Sequence, residues 1–194
     1  MNRPPDDSVT VRPASPADAG VIASIRVEGW RTAYRGQLDD DRLEGMSASA
    51  DEARWRAHLE APPAGHHGFV AERGDEAIGF ATCGPDRKSH DGPAVGELYA
   101  MYVRPSAIGT GVGRALMARV LDTLRGDGYG EAALWVLASN VNAHRFYEAA
   151  GWTRDPGTKV DVLDGFTVRE VRYRYRFQDE ENHGHIPPSD HDAE

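Results

Sequence analysis

Apolar residues recur at alternating positions in some stretches of this chain and at every third or fourth position in others, which is the pattern of an α/β fold. Strands are predicted where apolar residues alternate or form short runs: 9–12, 66–73, 76–83, 96–103, 132–137, 152–154, 158–163 and 167–177. Helices are predicted where the spacing is three or four: from Pro16 to Gly36, 50–60, 112–124 and 140–150. The polar stretch 39–49 leads into the second predicted helix, with no helix of its own predicted there, and Gly74-Asp75 is predicted to be a two-residue hairpin turn.

The order of these elements predicts a single domain over 9–177, built on a mostly antiparallel mixed sheet of six or seven strands flanked by helices. Only 96–103 and 132–137 are expected to be parallel, because a helix connects them. The last strand alternates aromatic residues with Arg172, Arg174 and Arg176, which predicts one buried and one exposed face.

A glycine-rich turn leads from the predicted strand 96–103 into the helix that follows it. Gly109, Gly111 and Gly113 remove side chains where backbone amides can point towards an anion, and the helix contributes the positive end of its dipole. The turn therefore predicts a phosphate-binding cradle. Similar turns serve nucleotides, dinucleotides and coenzyme A, and some are purely structural.

The residues around the turn discriminate between these alternatives. A nucleotide-binding P-loop ends in Lys-Ser or Lys-Thr, whereas Arg114-Ala115 follows Gly113 here. A dinucleotide fold places a carboxylate after the next strand to bind a ribose, whereas the strand 132–137 is followed by Ala138-Ser139-Asn140. The spacing thus favours neither of those two classes.

Charge and composition narrow the function further. The chain of 194 residues has a formal net charge of −9. Six acidic residues and no basic ones lie after Phe177, and residues 1–8 contain Asp6, Asp7 and Arg3, so 9–177 carries 21 basic and 23 acidic residues. A nearly neutral domain argues against nucleic acid, and no apolar run is long enough to span a membrane. Cys83 is the only cysteine, so a reducing cytoplasm is expected. Residues 1–8 and the acidic tail 178–194 are expected to be disordered.

Two motifs together resemble those of the GCN5-related N-acetyltransferases (GNAT), which transfer acetyl groups from acetyl-coenzyme A to amines. They are VRPSAIGTGVGRALM at 103–117 and LWVLASNVNAHRFYEAAGW at 134–152. The positions that match the family pattern are Gly111, Gly113, Asn140, Ala143, Phe146, Tyr147 and Gly151. Two positions depart from it, because Ile108 stands where Gln or Arg is usual and Trp152 replaces Phe.

The resemblance implies a GNAT fold in which 96–103 and 132–137 splay apart to admit acetyl-CoA. The residues it assigns to the cofactor are Met101, Tyr102, Val103, Ile108, Gly109, Thr110, Gly111, Val112, Gly113, Arg114 and Asn140. Most would act through their backbone groups. Asn140 would also cap its helix, and Arg104 and Arg114 are either phosphate ligands or ordinary surface arginines.

The resemblance also implies direct transfer to a primary amine of a small molecule or peptide in a ternary complex. Tyr147 is the expected general acid for the leaving sulfur, and Glu97 the expected base. Alternation along the strand places Glu97 on the same side as Tyr99 and Met101. Three further groups are possible bases: Glu28, His90 and Asp91.

The acceptor side is less defined. Trp30 and Tyr34 are either helix packing or an acceptor wall. No Cys/His spacing predicts a metal site. A homodimer through the alternating last strand is possible, and the alternative to an enzyme is a non-catalytic acyl-CoA-binding sensor or interaction domain.

Overall fold

The computed structural model describes residues 8–87 and 95–178, which form seven strands and five α-helices. The strands are β1 (Val9–Pro13), β2 (His67–Arg73), β3 (Glu76–Pro85), β4 (Val95–Val103), β5 (Glu131–Leu137), β6 (Thr153–Leu163) and β7 (Phe166–Arg176). The helices are α1 (Ala19–Tyr34), α2 (Asp40–Gly45), α3 (Ala48–Glu60), α4 (Val112–Gly126) and α5 (Val141–Ala149). Single-turn 3-10 helices cover Pro16–Asp18 and Pro105–Ala107.

The strands form one mixed sheet in the order β1-β2-β3-β4-β5-β7-β6. All neighbours are antiparallel except β4 and β5, whose parallel pairing runs only from Val95↔Glu131 to Leu98↔Leu134. Beyond Leu98 and Leu134 both strands continue without pairing to each other. The predicted mostly antiparallel sheet with two splayed parallel strands is therefore confirmed.

Helices cover both faces of the sheet. On one face α4 and α5 bury a large apolar cluster that includes Leu98, Leu116 and Tyr147. On the other face α1 packs over β2, β3 and β4 through Ile22 and Ile25, while its end packs with α2 against β5 and β7. The opening between β4 and β5 is thus bordered by α4 and α5 on one side and by the end of α1 on the other.

Two predicted boundaries were wrong. The stretch 39–49 contains the short helix α2, which begins where the Asp39 carboxylate accepts a hydrogen bond from the Arg42 amide and which buries Leu43. The predicted strands 152–154 and 158–163 are one strand, β6, with an irregularity between Arg154 and Thr158.

The strand β7 lies inside the sheet. It pairs with β5 on one side and with β6 on the other, so pairing of two copies along an edge of β7 is ruled out. Its inward residues include Val171 and Tyr173, whereas Arg172 and Arg174 form ion pairs with Asp155. The oligomeric state stays a prediction.

Several sequence predictions fall outside the described residues: His90, Asp91, residues 1–7 and the tail from 179 onward. Among the helices that the structure describes, none is long and apolar enough to cross a membrane. Within 8–87 and 95–178, no group of three or more His, Cys, Asp or Glu side chains is arranged to hold a metal ion. Cys83 is fully buried, and burial raises the pKa of its thiol to about 12.

Candidate active site

A β-bulge in β4 determines which side chains face each side of the sheet. Thr82 of β3 is opposite Ala100 and Cys83 is opposite Leu98, which leaves Tyr99 as an extra residue. Leu98 and Met101 therefore both pack on the side of α4. The expectation that Glu97 shares a side with Met101 was wrong, because alternation across the bulge is shifted by one residue.

A groove of about 350 Å³ runs along the end of β4 to the start of α4. Its lining consists of Met101, Val103, Ala107, Ile108, Gly109, Gly111, Gly113, Arg114 and Phe146. Most of these residues belong to the predicted cofactor set. Gly113 lets α4 approach α5, because a Cβ there would lie 3.2 Å from the Phe146 ring.

The glycine turn leaves backbone donors available in this groove. Gly109 and Gly111 have φ values of 82° and 92°, in the left-handed region that glycine adopts without strain. Within the described residues, the amides of Gly109 and of 111–114 donate to no backbone carbonyl, and the first helical bond of α4 is from Ala115 to Gly111. Unused amides at a helix N-terminus are suited to a phosphate or pyrophosphate group.

The remaining predicted cofactor residues have defined contacts. The Thr110 hydroxyl accepts a hydrogen bond from Arg73 and donates one to the Ala107 carbonyl. Val112 is fully buried and is not among the residues that line the groove. Arg114 is exposed at the groove, whereas Arg104 donates to the Ala77 carbonyl and forms an ion pair with Glu28. Of the two arginines, Arg114 is the one free to meet a phosphate.

A second cavity, of about 480 Å³, lies between the end of α1 and the start of α5. Val103 and Ile108 line both this cavity and the groove, so the two spaces meet at the open ends of β4 and β5. Tyr34, Tyr102 and Asn140 are among its other lining residues. The arrangement allows a long ligand in the groove and a second ligand beside it.

Hydrogen bonds join the polar side chains of this second cavity. The Asn140 side chain accepts a hydrogen bond from the Ala143 amide, which caps α5, and donates one to the Tyr34 hydroxyl at 3.2 Å. Trp30 donates through its indole N–H to the Tyr102 hydroxyl at 2.8 Å. Trp30 itself is buried and does not line the cavity, whereas Tyr34 does. The close approach of α1 to Tyr102 requires Gly29, because a Cβ there would lie 2.9 Å from the Tyr102 ring.

Tyr147 lies on α5, buried against Phe146, Trp152 and Tyr173. No described residue forms a hydrogen bond with its hydroxyl, and burial, followed by the nearby Tyr102, raises the pKa of that hydroxyl above its usual range. Tyr147 therefore stays protonated at neutral pH and has a proton to donate.

Glu97 is 1% exposed and is held by Arg87. Both carboxylate oxygens accept from the Arg87 Nε at 3.2 Å, and one accepts from the Arg87 backbone amide at 3.1 Å. The Arg87 guanidinium also lies 4.8 Å from the centre of the Tyr99 ring. The sequence did not predict the contact of Arg87 with Glu97. The only available signal was the position of Arg87 three residues after Gly84, because Gly84 pairs with Glu97.

Comparison with known proteins decides the family. A family model described as "Acetyltransferase (GNAT) family" matches residues 28–152, which include the groove, the splayed strands and Tyr147. The chain belongs to the GNAT family of acetyltransferases. Its sheet and helices have the GNAT fold, and acetyl-CoA is the acetyl donor of this family.

Individual relatives agree with this assignment. The uncharacterized N-acetyltransferase YuaI of Bacillus subtilis (strain 168) is 34% identical over 165 residues, which cover 84% of this chain and 90% of YuaI. An aminoglycoside N(6')-acetyltransferase type 1 of Stenotrophomonas maltophilia is 34% identical, covering 74% of this chain and 85% of that enzyme. The chain spans less than half the length of the mycothiol acetyltransferases that it also matches.

Solved structures share the fold. The acetyltransferase yncA of Salmonella typhimurium, solved with acetyl-CoA, superposes with a TM-score of 0.63 at 24% identity, over 93% of this chain and 98% of yncA. In the present chain the free amides and the left-handed glycines of the turn fit the pyrophosphate of such a ligand.

Proposed function

We propose that this GNAT protein is an N-acetyltransferase that moves an acetyl group from acetyl-CoA to a primary amine by direct transfer in a ternary complex. The observation that carries the proposal is the meeting of the two cavities at the open ends of β4 and β5. Acetyl-CoA supplies an activated thioester. The chain binds its phosphates through the amides of the glycine turn and admits the amine from the side of α1.

Tyr147 is the proposed general acid. When the amine nitrogen bonds to the acetyl carbon, the carbon–sulfur bond breaks and its electron pair stays on sulfur. An ordinary phenol is a weaker acid than a thiol by about 1.5 pKa units, and burial widens that difference for Tyr147, so the proton moves only as negative charge develops on sulfur. Burial keeps Tyr147 protonated and also makes it a weaker acid than an exposed tyrosine.

Glu97 is the proposed base. An amine of pKa near 10.4 is only about one part in a thousand neutral at pH 7.4, which corresponds to roughly 4 kcal/mol. The pairing of β4 with β5 ends at Leu98, and Glu97 is the residue before it. Glu97 therefore lies next to the point where the two strands separate. Arg87 orients its carboxylate.

The test is release of free thiol from acetyl-CoA by the purified protein, with a panel of diamines, amino acids, peptides and aminoglycosides. Tyr147→Phe should lower kcat at least tenfold with the acetyl-CoA Kd unchanged within twofold. Tyr175→Phe is the matched control, because its ring packs in the same cluster and its hydroxyl bonds to no described residue. Equal kcat values for Tyr147→Phe and the control would exclude Tyr147 as the acid.

Glu97→Gln separates the two roles open to that carboxylate. A base predicts at least a tenfold loss of kcat at saturating amine, whereas a structural anchor predicts reduced stability with kcat retained. Mass spectrometry of the acceptor identifies the product and the acetylated nitrogen.

One observation favours the alternative of a non-catalytic acyl-CoA sensor: the Glu97 carboxylate is buried and already engaged by Arg87. Titration calorimetry decides between the two functions. Tight acetyl-CoA binding with no thiol release across the whole panel would support the sensor.

A further inference from the structure

A primary ammonium group is held on the α1 side of the sheet by two carboxylates and an aromatic ring. The group is the Nζ of Lys159, which lies 2.8 Å from the Glu170 carboxylate and 3.2 Å from that of Asp161. It also lies 4.7 Å from the centre of the Trp135 ring. Two anionic oxygens and an aromatic ring are what an ammonium ion needs when it leaves water.

This arrangement borders the splay. Trp135 is the first residue of β5 beyond the last pair with β4, and Glu170 of β7 is opposite Leu137. Leu137 in turn packs against Trp30 and Tyr34 on the α1 side. The ammonium of Lys159 therefore lies over the open strand end, on the face opposite α4 and the glycine turn.

Electrostatics connect Glu170 to the second cavity. Burial is the first cause of the raised pKa of Tyr34 and of Tyr102, and the Glu170 carboxylate contributes to both shifts. Glu170 is opposite Leu137, and Leu137 packs against Tyr34, which lines the second cavity. A negative charge at this place attracts a cation that enters between α1 and the sheet.

The ion pair is also costly as a purely structural feature. The side chains of Lys159 and Glu170 are 15% and 7% exposed, and the cost of removing two charges from water must be offset by their contacts. Lys159 reaches back from the edge strand β6 across β7 to the Trp135 ring. Its primary amine is the same chemical group that an acceptor must present.

We propose that Glu170 and Trp135 form the binding site for the ammonium group of the acceptor, and that Lys159 occupies this site when no acceptor is bound. The inference rests on the proposed acetyltransferase function and names its substrate class: cationic, unbranched primary amines. Asp161 contributes at the rim, since its side chain is 42% exposed. A tethered lysine competes with such amines at a high effective concentration.

The test uses Lys159→Ala with n-propylamine, which has the atoms that the substitution removes. We expect n-propylamine to raise the Tm of Lys159→Ala and not that of the wild type, and n-propanol, its neutral counterpart, to raise neither. With acetyl-CoA present, the KM for n-propylamine should be at least tenfold lower in Lys159→Ala than in the wild type. Glu170→Gln added to Lys159→Ala should abolish that gain.

A structural role alone does not predict a gain in affinity, so the direction of the effect is decisive. Turnover with equal KM values in the wild type and Lys159→Ala would overturn the inference and leave the proposed function intact. No thiol release from either protein with any amine would contradict the proposed function itself. If Lys159→Ala does not fold, Lys159→Ser, which also empties the site, takes its place, and the same fall in the KM for n-propylamine is required of it.

Discussion

The groove at the glycine turn and the cavity on the α1 side are built in different ways. Apart from Phe146, the groove is lined by one continuous stretch, from Met101 to Arg114, and most of its polar groups are backbone amides. The cavity on the α1 side is assembled from side chains of distant segments, among them Tyr34, Tyr102 and Asn140. The groove is therefore encoded locally, whereas the cavity on the α1 side depends on how the whole chain folds.

This difference has a chemical consequence. A backbone amide is present whatever the side chain, so we expect the groove to bind its ligand although Ile108 stands where the family usually has Gln or Arg. The side chains on the α1 side can change without disturbing the groove. One fold can thus keep its acetyl donor and vary its acceptor.

The largest effect should follow from Gly111→Ala. Gly111 has a φ of 92°, and a Cβ there would meet no protein atom within 4 Å, so any loss reflects the backbone and the ligand rather than packing. An L-residue at this φ costs about 1–2 kcal/mol, and relaxation of the turn would misdirect its amides. We expect the acetyl-CoA Kd, measured by calorimetry, to rise about 30-fold, or roughly 2 kcal/mol.

Gly126→Ala is the matched control, because Gly126 ends the same helix with an ordinary φ and has open space at its Cβ. Its Kd should equal that of the wild type. An unchanged Kd in Gly111→Ala would mean that the turn does not bind the donor through its backbone, and the contrast between the two regions would fail.

A smaller effect, on stability alone, is expected of Tyr102→Phe. The substitution removes the acceptor of the Trp30 indole N–H and leaves that buried donor unpaired. The free energy of unfolding in urea should fall by about 1–2 kcal/mol. The acetyl-CoA Kd should stay within twofold, since the backbone of residue 102 is unchanged.

Tyr175→Phe again serves as the comparison, with a change in unfolding free energy below about 0.5 kcal/mol. A large loss of acetyl-CoA affinity in Tyr102→Phe would show that a side chain on the α1 side supports donor binding. The two regions would then not be independent.

The same contrast explains which features of the fold and of the site could be predicted from the sequence. Strand and helix periodicity predicted the sheet with its parallel pair, and the glycine turn with the 140–151 motif predicted the groove, because these features are local in the chain. The bulge at Tyr99 has no glycine or proline to mark it, so the orientation of Glu97 was wrong. The helix α2 has only six residues, which is too short for a periodic pattern.

Long-range side-chain pairs were not predictable at all. Arg87 meets Glu97 across a hairpin, and Lys159 meets Glu170 across a pair of strands with an irregular register. Their positions depend on register, which one sequence does not specify. Functional residues on the α1 side were therefore the part that required the structure.

The smallest effect is expected at the start of α1, which is stabilised by contacts between side chains, as the cavity on the α1 side is. Asp18 accepts hydrogen bonds from Ser15 and from Arg12. These bonds lower the pKa of its carboxyl to about 2, and the contribution of Arg12 is the largest. Asp18→Asn should cost about 1 kcal/mol of unfolding free energy at pH 7, since the capping bonds are weakened and the ion pair is lost.

The sign of the pH dependence follows from the depressed pKa. The folded state binds the Asp18 proton only near pH 2, whereas the unfolded chain binds it near 3.8, so the stabilisation is complete above about pH 4 and is lost as the pH falls towards 2. Urea titrations of the wild type and Asp18→Asn should therefore converge over that range. A difference that persisted unchanged at pH 2 would show that the substitution acts by altering the turn itself rather than by removing the charge, and α1 would then be positioned by its backbone, as the glycine turn is.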